Sequence, residues 1–186
     1  MAISPFEADE GLLRHLAERG LQQSRFISVL YGVPAPTQPP PRGEVTVRAF
    51  QAPDLDLFLT LWRAGAPETD WEFLNPIGRA EFADWWCYVG FVGSEPAGIA
   101  GLYVRDGVGV MASGATLPDF RGRGCQTALL HQRLVDAAMR GCDLVLSQGR
   151  PGSGSQRNIE RVGLHTAYTH AIWIDQPDGP TRGGPR

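Results

Sequence analysis

Residues 116–130 read Thr-Leu-Pro-Asp-Phe-Arg-Gly-Arg-Gly-Cys-Gln-Thr-Ala-Leu-Leu, with two glycines two apart and an arginine before each. Gly122 and Gly124 carry no side chains, so successive backbone N–H groups there can point into one concavity. A helix starting directly behind them would add its first N–H groups and about half a unit of positive charge. Arg121 and Arg123 place mobile positive charge alongside, which suits a diphosphate better than a single carboxylate. The chemistry on offer is anion binding. On these residues alone the steric alternative, glycine merely opening a helix, stays open.

Other reactive side chains are less organised. Glu68, Asp70 and Glu72, with Trp71 and Phe73 interleaved, form an acidic stretch that would suit a cationic amine or serve as solvated surface. Cys87, Cys125 and Cys142 form an odd set without metal-ligand spacing, and His131, His165 and His170 make no ligand cluster, so no metal is expected. Cys125 stands at a helix start, either as a thiol of lowered pKa or as an inert small residue.

The elements that must position this turn follow from periodicity. Residues 45–50 alternate as a strand, and 54–62 follow Pro53 as a helix with acidic residues in its first turn. The stretch from Arg79 to Trp86 reads as a short helix. Residues 87–92, 97–104 and 108–116 form a three-stranded meander, turned at Gly93-Ser94-Glu95-Pro96 and at Asp106-Gly107. From Gly124 to Arg140 a long amphipathic helix sets Ala128, Leu129, Val135, Ala138 and Met139 against Gln132, Arg133, Asp136 and Arg140, with Gly141 as its C-cap. Residues 144–146 make a short buried strand, 155–162 a short helix closed by Gly163, and 165–174 a last strand. The order is β-α-(α)-β-β-β-α-β-α-β, an α/β (α+β) chain.

At 186 residues the chain is one domain of about 150 plus a surplus. Hydrophobic residues at 42% and charged residues at 20% are those of a globular protein, and no apolar run approaches the ~18 residues of a membrane span. A net charge of 17 − 20 = −3 argues against a general nucleic-acid or anionic-membrane binder, so any anion site must be local. Cysteine usage and the lack of signal-peptide sections point to the cytoplasm. Prolines at 34, 36, 39, 40 and 41 make that stretch a linker, and 176–186, with almost nothing apolar to bury, is expected to be disordered.

The turn at 121–126 resembles motif A of the GCN5-related N-acetyltransferases, (Q/R)-x-x-G-x-(G/A), which lies on Arg121, Gly124 and Gln126 with Gln126 in place of the small residue. Residues 155–164, Ser-Gln-Arg-Asn-Ile-Glu-Arg-Val-Gly-Leu, look like motif B, a short helix ending in Gly-Phe with Leu164 replacing the Phe. The resemblance covers about 43–174 and implies a central mixed, mostly antiparallel sheet flanked by helices, with acetyl-CoA in a splay between central strands.

It also implies roles. Gly122, Arg123, Gly124, Cys125, Gln126 and Thr127 would hold the pyrophosphate beside Arg121. Ala115, Thr116 and Leu117 would bond pantetheine through backbone groups, Asn158 would face the thiol end, and the Leu117 N–H would meet the developing oxyanion. The position that carries the tyrosine acid in that family is Ile159, leaving Ser155 and Tyr168 as hydroxyl candidates. Each also has a bland reading, Ser155 as a helix cap and Tyr168 as a half-buried strand aromatic. The strand at 108–116 has no carboxylate, so a base would come from the loop with Glu68, Asp70, Trp71 and Glu72, or from water. The implied activity is acetyl transfer to the primary amine of a small molecule or peptide N-terminus by a monomer or homodimer. The rivals are a CoA-binding module without catalysis and, more distantly, an RNA-binding module.

The surplus lies at the N-terminus. Residues 16–31 read helix, glycine, strand, echoing 159–174, as though they ended a degenerate second half; a two-element ornament is the simpler account. The expected division is a 1–33 appendage docked on the rest, a 34–42 linker, a 43–175 acetyltransferase domain and a 176–186 tail.

Overall fold

The computed structural model describes residues 1–37, 44–50, 55–66 and 85–175. In chain order the elements are β1 (Ala2–Ile3), α1 (Glu10–Glu18), β2 (Leu21–Gly32), β3 (Val45–Phe50), α2 (Leu55–Gly65), β4 (Trp85–Val92), β5 (Glu95–Arg105), β6 (Val108–Thr116), α3 (Cys125–Met139), β7 (Leu144–Gly149), α4 (Gly154–Arg161) and β8 (His165–Asp175). The meander β4–β5–β6 turns where Gly93 (φ 62°) and the pair Asp106 and Gly107 (φ 51° and 76°) take up left-handed backbone that a tight hairpin demands. Trp85 and Trp86 belong to β4 instead of ending a helix, because they pair with Tyr103 and Leu102 of β5; residues 79–84 lie outside the described ones.

The eight strands among the described residues form one sheet in the order β1-β8-β2-β7-β6-β5-β4-β3. Every neighbouring pair is antiparallel except β6–β7, which is parallel. The β7–α4–β8 connection therefore steps over a slot one strand wide, and β2 fills it, antiparallel to both sides. The N-terminal residues, expected to dock on the rest, lie inside the sheet, with Leu30 fully buried and Val29 7% exposed.

Successive residues face opposite sides of the sheet, so each strand feeds two cores. On one face Leu129, Leu130 and Leu134 of α3 and Ile159 of α4 pack on Tyr88, Leu102, Met111, Val145 and Leu30. On the other, Phe58, Leu61 and Trp62 of α2 pack on Cys87, Val89 and Ile99. The polar side expected for α3 is not all solvated: Arg133 and Asp136 are buried, whereas Met139 is 66% exposed. Asp136 Oδ2 accepts from the Tyr88 hydroxyl at 2.7 Å and its Oδ1 from Gln132 at 3.0 Å, which is why a carboxylate is tolerated there. Among the described residues no helix is long and apolar enough to cross a membrane. The acidic stretch with Glu68, Asp70, Trp71 and Glu72, residues 38–42 of the linker together with Gly43, and the 176–186 tail lie outside the described residues.

Candidate functional site

The two parallel strands come apart. β6 and β7 pair from Val108 with Leu144 to Met111 with Ser147 and no further. Beyond that rung β7 keeps pairing with β2, Gln148 with Val29 and Gly149 with Ser28. β6 turns the other way, because its ladder with β5 slips by one residue between the pairs Gly101–Ala112 and Ile99–Ala115. Ser113, at φ 53°, lies inside that bulge. Arg133 sits beneath it, its Nη1 donating to Gly101 O and Ala112 O at 3.2 Å each and its Nε to Leu129 O at 3.0 Å. Burial pulls this guanidinium down to about 10, still a cation at neutral pH, and the Gly101 and Ala112 carbonyls it bonds belong to the last rung before the slip. The result is a V-shaped opening at the C-terminal ends of a parallel pair, where ligands of open α/β sheets sit.

The glycine turn leads from that opening into α3. After a short 3-10 turn at Pro118–Phe120, Gly122 (φ 76°) and Gly124 (φ 86°) are both left-handed, and α3 starts at Cys125. The first bond into the helix is Ala128 N to Gly124 O, so the N–H groups of Cys125, Gln126 and Thr127 precede any helical partner. Among the described residues no side chain caps them, and no acidic residue stands in the first turn. A Cβ built on Gly122 meets nothing within 4 Å, so the turn opens outward. These features fit a diphosphate: N–H donors, a helix N-terminus, no carboxylate in its first turn, and room.

The arginines are placed less simply. Arg121 donates to Gly65 O at the end of α2 and to Thr116 O at the end of β6, both at 3.4 Å, so it ties two elements together. Arg123 lies over the Phe120 ring, 5.4 Å from its centre, and is exposed. Ala115 and Thr116 lie past the last β6–β7 rung, as expected of a strand edge that a ligand could extend. Leu117 differs: its N–H, expected to face an oxyanion, donates to Ala97 O at 2.9 Å, because the β5–β6 ladder runs one residue past Thr116. Cys125 is 1% exposed, and burial raises its thiol to about 11, against the lowered value a helix N-terminus would favour. A Cβ on Gly90 or Gly98 would stand 2.6 Å or 3.1 Å from its Sγ, so this thiol fills the space two glycines leave, as packing.

At the start of α4, Ser153 is the N-cap, accepting from Gln156 N at 3.1 Å. Ser155 is therefore not the capping hydroxyl. Its Oγ accepts from Gln126 Nε2 at 2.9 Å, while Gln126 Oε1 accepts from Asn158 Nδ2 at 2.7 Å and Asn158 Oδ1 from Arg161 Nη1 at 2.6 Å. Gln126, Ser155 and Asn158 are thus brought together across the α3–α4 junction. Arg161 was missed at the sequence level, although its spacing of three from Asn158 on a helix was the available signal.

Tyr168 is not brought there. It sits on β8 opposite Val29, separated from β7 by β2, with its ring 5.7 Å from that of Phe6 and 6.3 Å from His170. Arg133 and Ser147 were also missed, since nothing in a sequence says that the carbonyls of Gly101, Ala112 and Met111 will lie beside them. Among the described residues no three His, Cys, Asp or Glu side chains gather where a metal ion could sit.

No protein-family model and no curated protein matches the chain. Solved structures do. A GCN5-related N-acetyltransferase from Kribbella flavida is 20% identical with a TM-score of 0.67, over 97% of this chain and 68% of that one. A GCN5-related N-acetyltransferase from Sphaerobacter thermophilus is 24% identical with a TM-score of 0.66, over 94% of this chain and 60% of its own. The ribosomal-protein-S18-alanine N-acetyltransferase from Escherichia coli is 15% identical with a TM-score of 0.58, over 75% of this chain and 99% of its own. The chain has the fold of the GCN5-related N-acetyltransferases, and it spans about two thirds of the first two neighbours' length.

Proposed function

We propose that the chain is an acetyl-CoA-dependent N-acetyltransferase acting on a primary amine of a small molecule or a peptide N-terminus. The observation that carries this reading is the parting of β6 from β7 beyond Met111 and Ser147, in front of a helix N-terminus that no side chain caps. The backbone N–H groups of 122–127 would take the diphosphate, with Arg123 free to move toward it. Ala115 and Thr116 would bond pantetheine as a neighbouring strand would, since β7 has left that edge. Acetyl-CoA supplies a thioester whose carbonyl carbon a neutral amine attacks. Holding the two partners in line is the larger share of such catalysis. Ser155 Oγ would donate a hydrogen bond to the sulfur as the C–S bond breaks, and Asn158 would line the thiol end. Overall the amine gives up one proton and the thiolate gains one. The free cysteines fit a reducing compartment.

A second reading, a CoA-binding module without catalysis, is favoured by one observation: the Leu117 N–H is committed to Ala97 O, on a strand with no carboxylate. Incubation with acetyl-CoA and a panel of amines separates the two. Saturable, amine-dependent release of CoA is expected. CoA binding without such release would establish the second reading, and no binding at all would overturn both.

A further inference from the structure

The hydrogen bonds from Arg161 to Asn158 to Gln126 to Ser155 run in one direction, and the guanidinium at the outer end sets it. A guanidinium has donors only, so the atom of Asn158 that meets Arg161 Nη1 must be the oxygen. The Asn158 amide nitrogen then faces Gln126, so Gln126 must turn its oxygen to Asn158 and its nitrogen to Ser155. Neither amide can flip without setting donor against donor or acceptor against acceptor. Ser155 Oγ receives an N–H and cannot return the bond, so its own hydrogen is directed away from Gln126. Each bond polarises the next in the same sense, which strengthens the last donor in the run.

We infer that Ser155 is held as an outward hydrogen-bond donor, and that Gln126, Asn158 and Arg161 are positioning residues that act through it. This rests on the acetyltransferase reading, in which the acceptor of that bond is the departing sulfur. The same run explains why glutamine stands at 126 where a smaller residue would leave more room: it is the piece that spans from α4 back to the first turn of α3.

The direction can be reversed almost without change of shape. In Asn158→Asp the carboxylate still accepts from Arg161 but has nothing to donate to Gln126. The glutamine amide must then flip, present its oxygen to Ser155 and draw the serine proton inward. At saturating acetyl-CoA and amine, Asn158→Asp is expected to lower kcat as far as Ser155→Ala does, roughly a hundredfold, with KM for the amine unchanged. The double variant is expected to be no slower than Ser155→Ala alone, because both changes remove one bond. Arg161→Lys, also a pure donor, is expected to keep most of kcat where Arg161→Met does not.

Losses that multiply in the double variant, or a Ser155→Ala enzyme with full kcat, would overturn the inference while leaving the acetyltransferase reading intact. Absence of acetyl transfer by the unaltered protein would instead strike that reading. Melting temperatures of all variants check that the fold is kept.

Discussion

The Ser147 hydroxyl donates to the Met111 carbonyl at 3.1 Å on the last rung that β6 and β7 share. It stands where the two strands begin to diverge, and Ser147 is 4% exposed, so the bond is made in a dry place. Replacing Ser147 by alanine removes the donor and leaves a buried carbonyl short of a partner, at a cost of about 1–3 kcal/mol. For a chain of this size that is a melting temperature lower by roughly 2–12 °C. CoA affinity should fall as well, because the opening loses the bond that defines its inner end. Melting curves with and without CoA check both effects, and an unchanged CoA-induced shift would detach the opening from the ligand.

Thr127→Glu gives effects of opposite sign on stability and binding. A carboxylate in the first turn of α3 meets N–H groups that no side chain caps, so the free protein should gain about 0.3–1 kcal/mol. The same carboxylate would face the diphosphate. Unit charges about 6 Å apart near a protein surface repel by roughly 3 kcal/mol, which is a Kd weaker by tenfold or more. Calorimetric titration with CoA alongside thermal melts measures the pair. A variant that binds CoA normally would place the anion site elsewhere.

Much of this was legible in the sequence, for reasons that are local. The Arg-Gly-Arg-Gly turn, the helix behind it and the glycine-punctuated meander depend on residues near one another in the chain, and each forms where periodicity puts it. What was not legible depends on partners far apart in sequence. Nothing in residues 21–32 says that their neighbours will be residues 145–149 and 165–175. Arg133 and Asp136 read as a solvated helix face, yet Tyr88, 48 residues before Asp136, turns that face inward. The Leu117 N–H was legible as a strand-end group but not as one already taken by Ala97, since a bulge at Ser113 decides how far the ladder runs. Ser155 was distinguishable from Ser153 as the cap only by where the helix begins.

Alkaline pH should destabilise the protein through its thiols. Burial holds Cys87 and Cys125 at about 11, above the ordinary thiol value of 9.0 that each regains on unfolding. Below pH 9 both states carry the proton and the difference costs nothing; between 9 and 11 the unfolded chain alone loses it, so stability falls as pH rises through that window. Tyr88, whose phenol is raised by burial and by the bond to Asp136, adds in the same direction at higher pH. Urea melts between pH 8 and 11 should show the decline, and Cys125→Ala should flatten part of it. Equal slopes in the two proteins would mean that this thiol ionises freely in the folded state. At neutral pH the same burial predicts slow alkylation of Cys125 in the native protein.

The N-terminal residues offer the largest effect, and magnitudes decide between ornament and structural strand. Deleting residues 1–37 exposes the partners of Ile3, Leu16, Val29 and Leu30, all four buried in the intact chain. At about 1.5–3 kcal/mol for each side chain the loss is roughly 6–12 kcal/mol, an upper figure because unfolded chains already bury some of this area. Marginal stability for a domain is about 5–15 kcal/mol, so the truncated chain should be unfolded or aggregated, where an ornament would cost almost nothing. The site should fail with it, since Gln148 and Gly149 of β7 are held on β2 and would otherwise have no strand beside them on that side. Cutting the chain within the proline-rich 34–41 stretch asks a gentler question. β2 is held by ladders on both its edges, so the nicked protein should elute as one species and keep binding CoA. Separation of the two pieces without denaturant would show that the linker, and not the sheet, retains the strand.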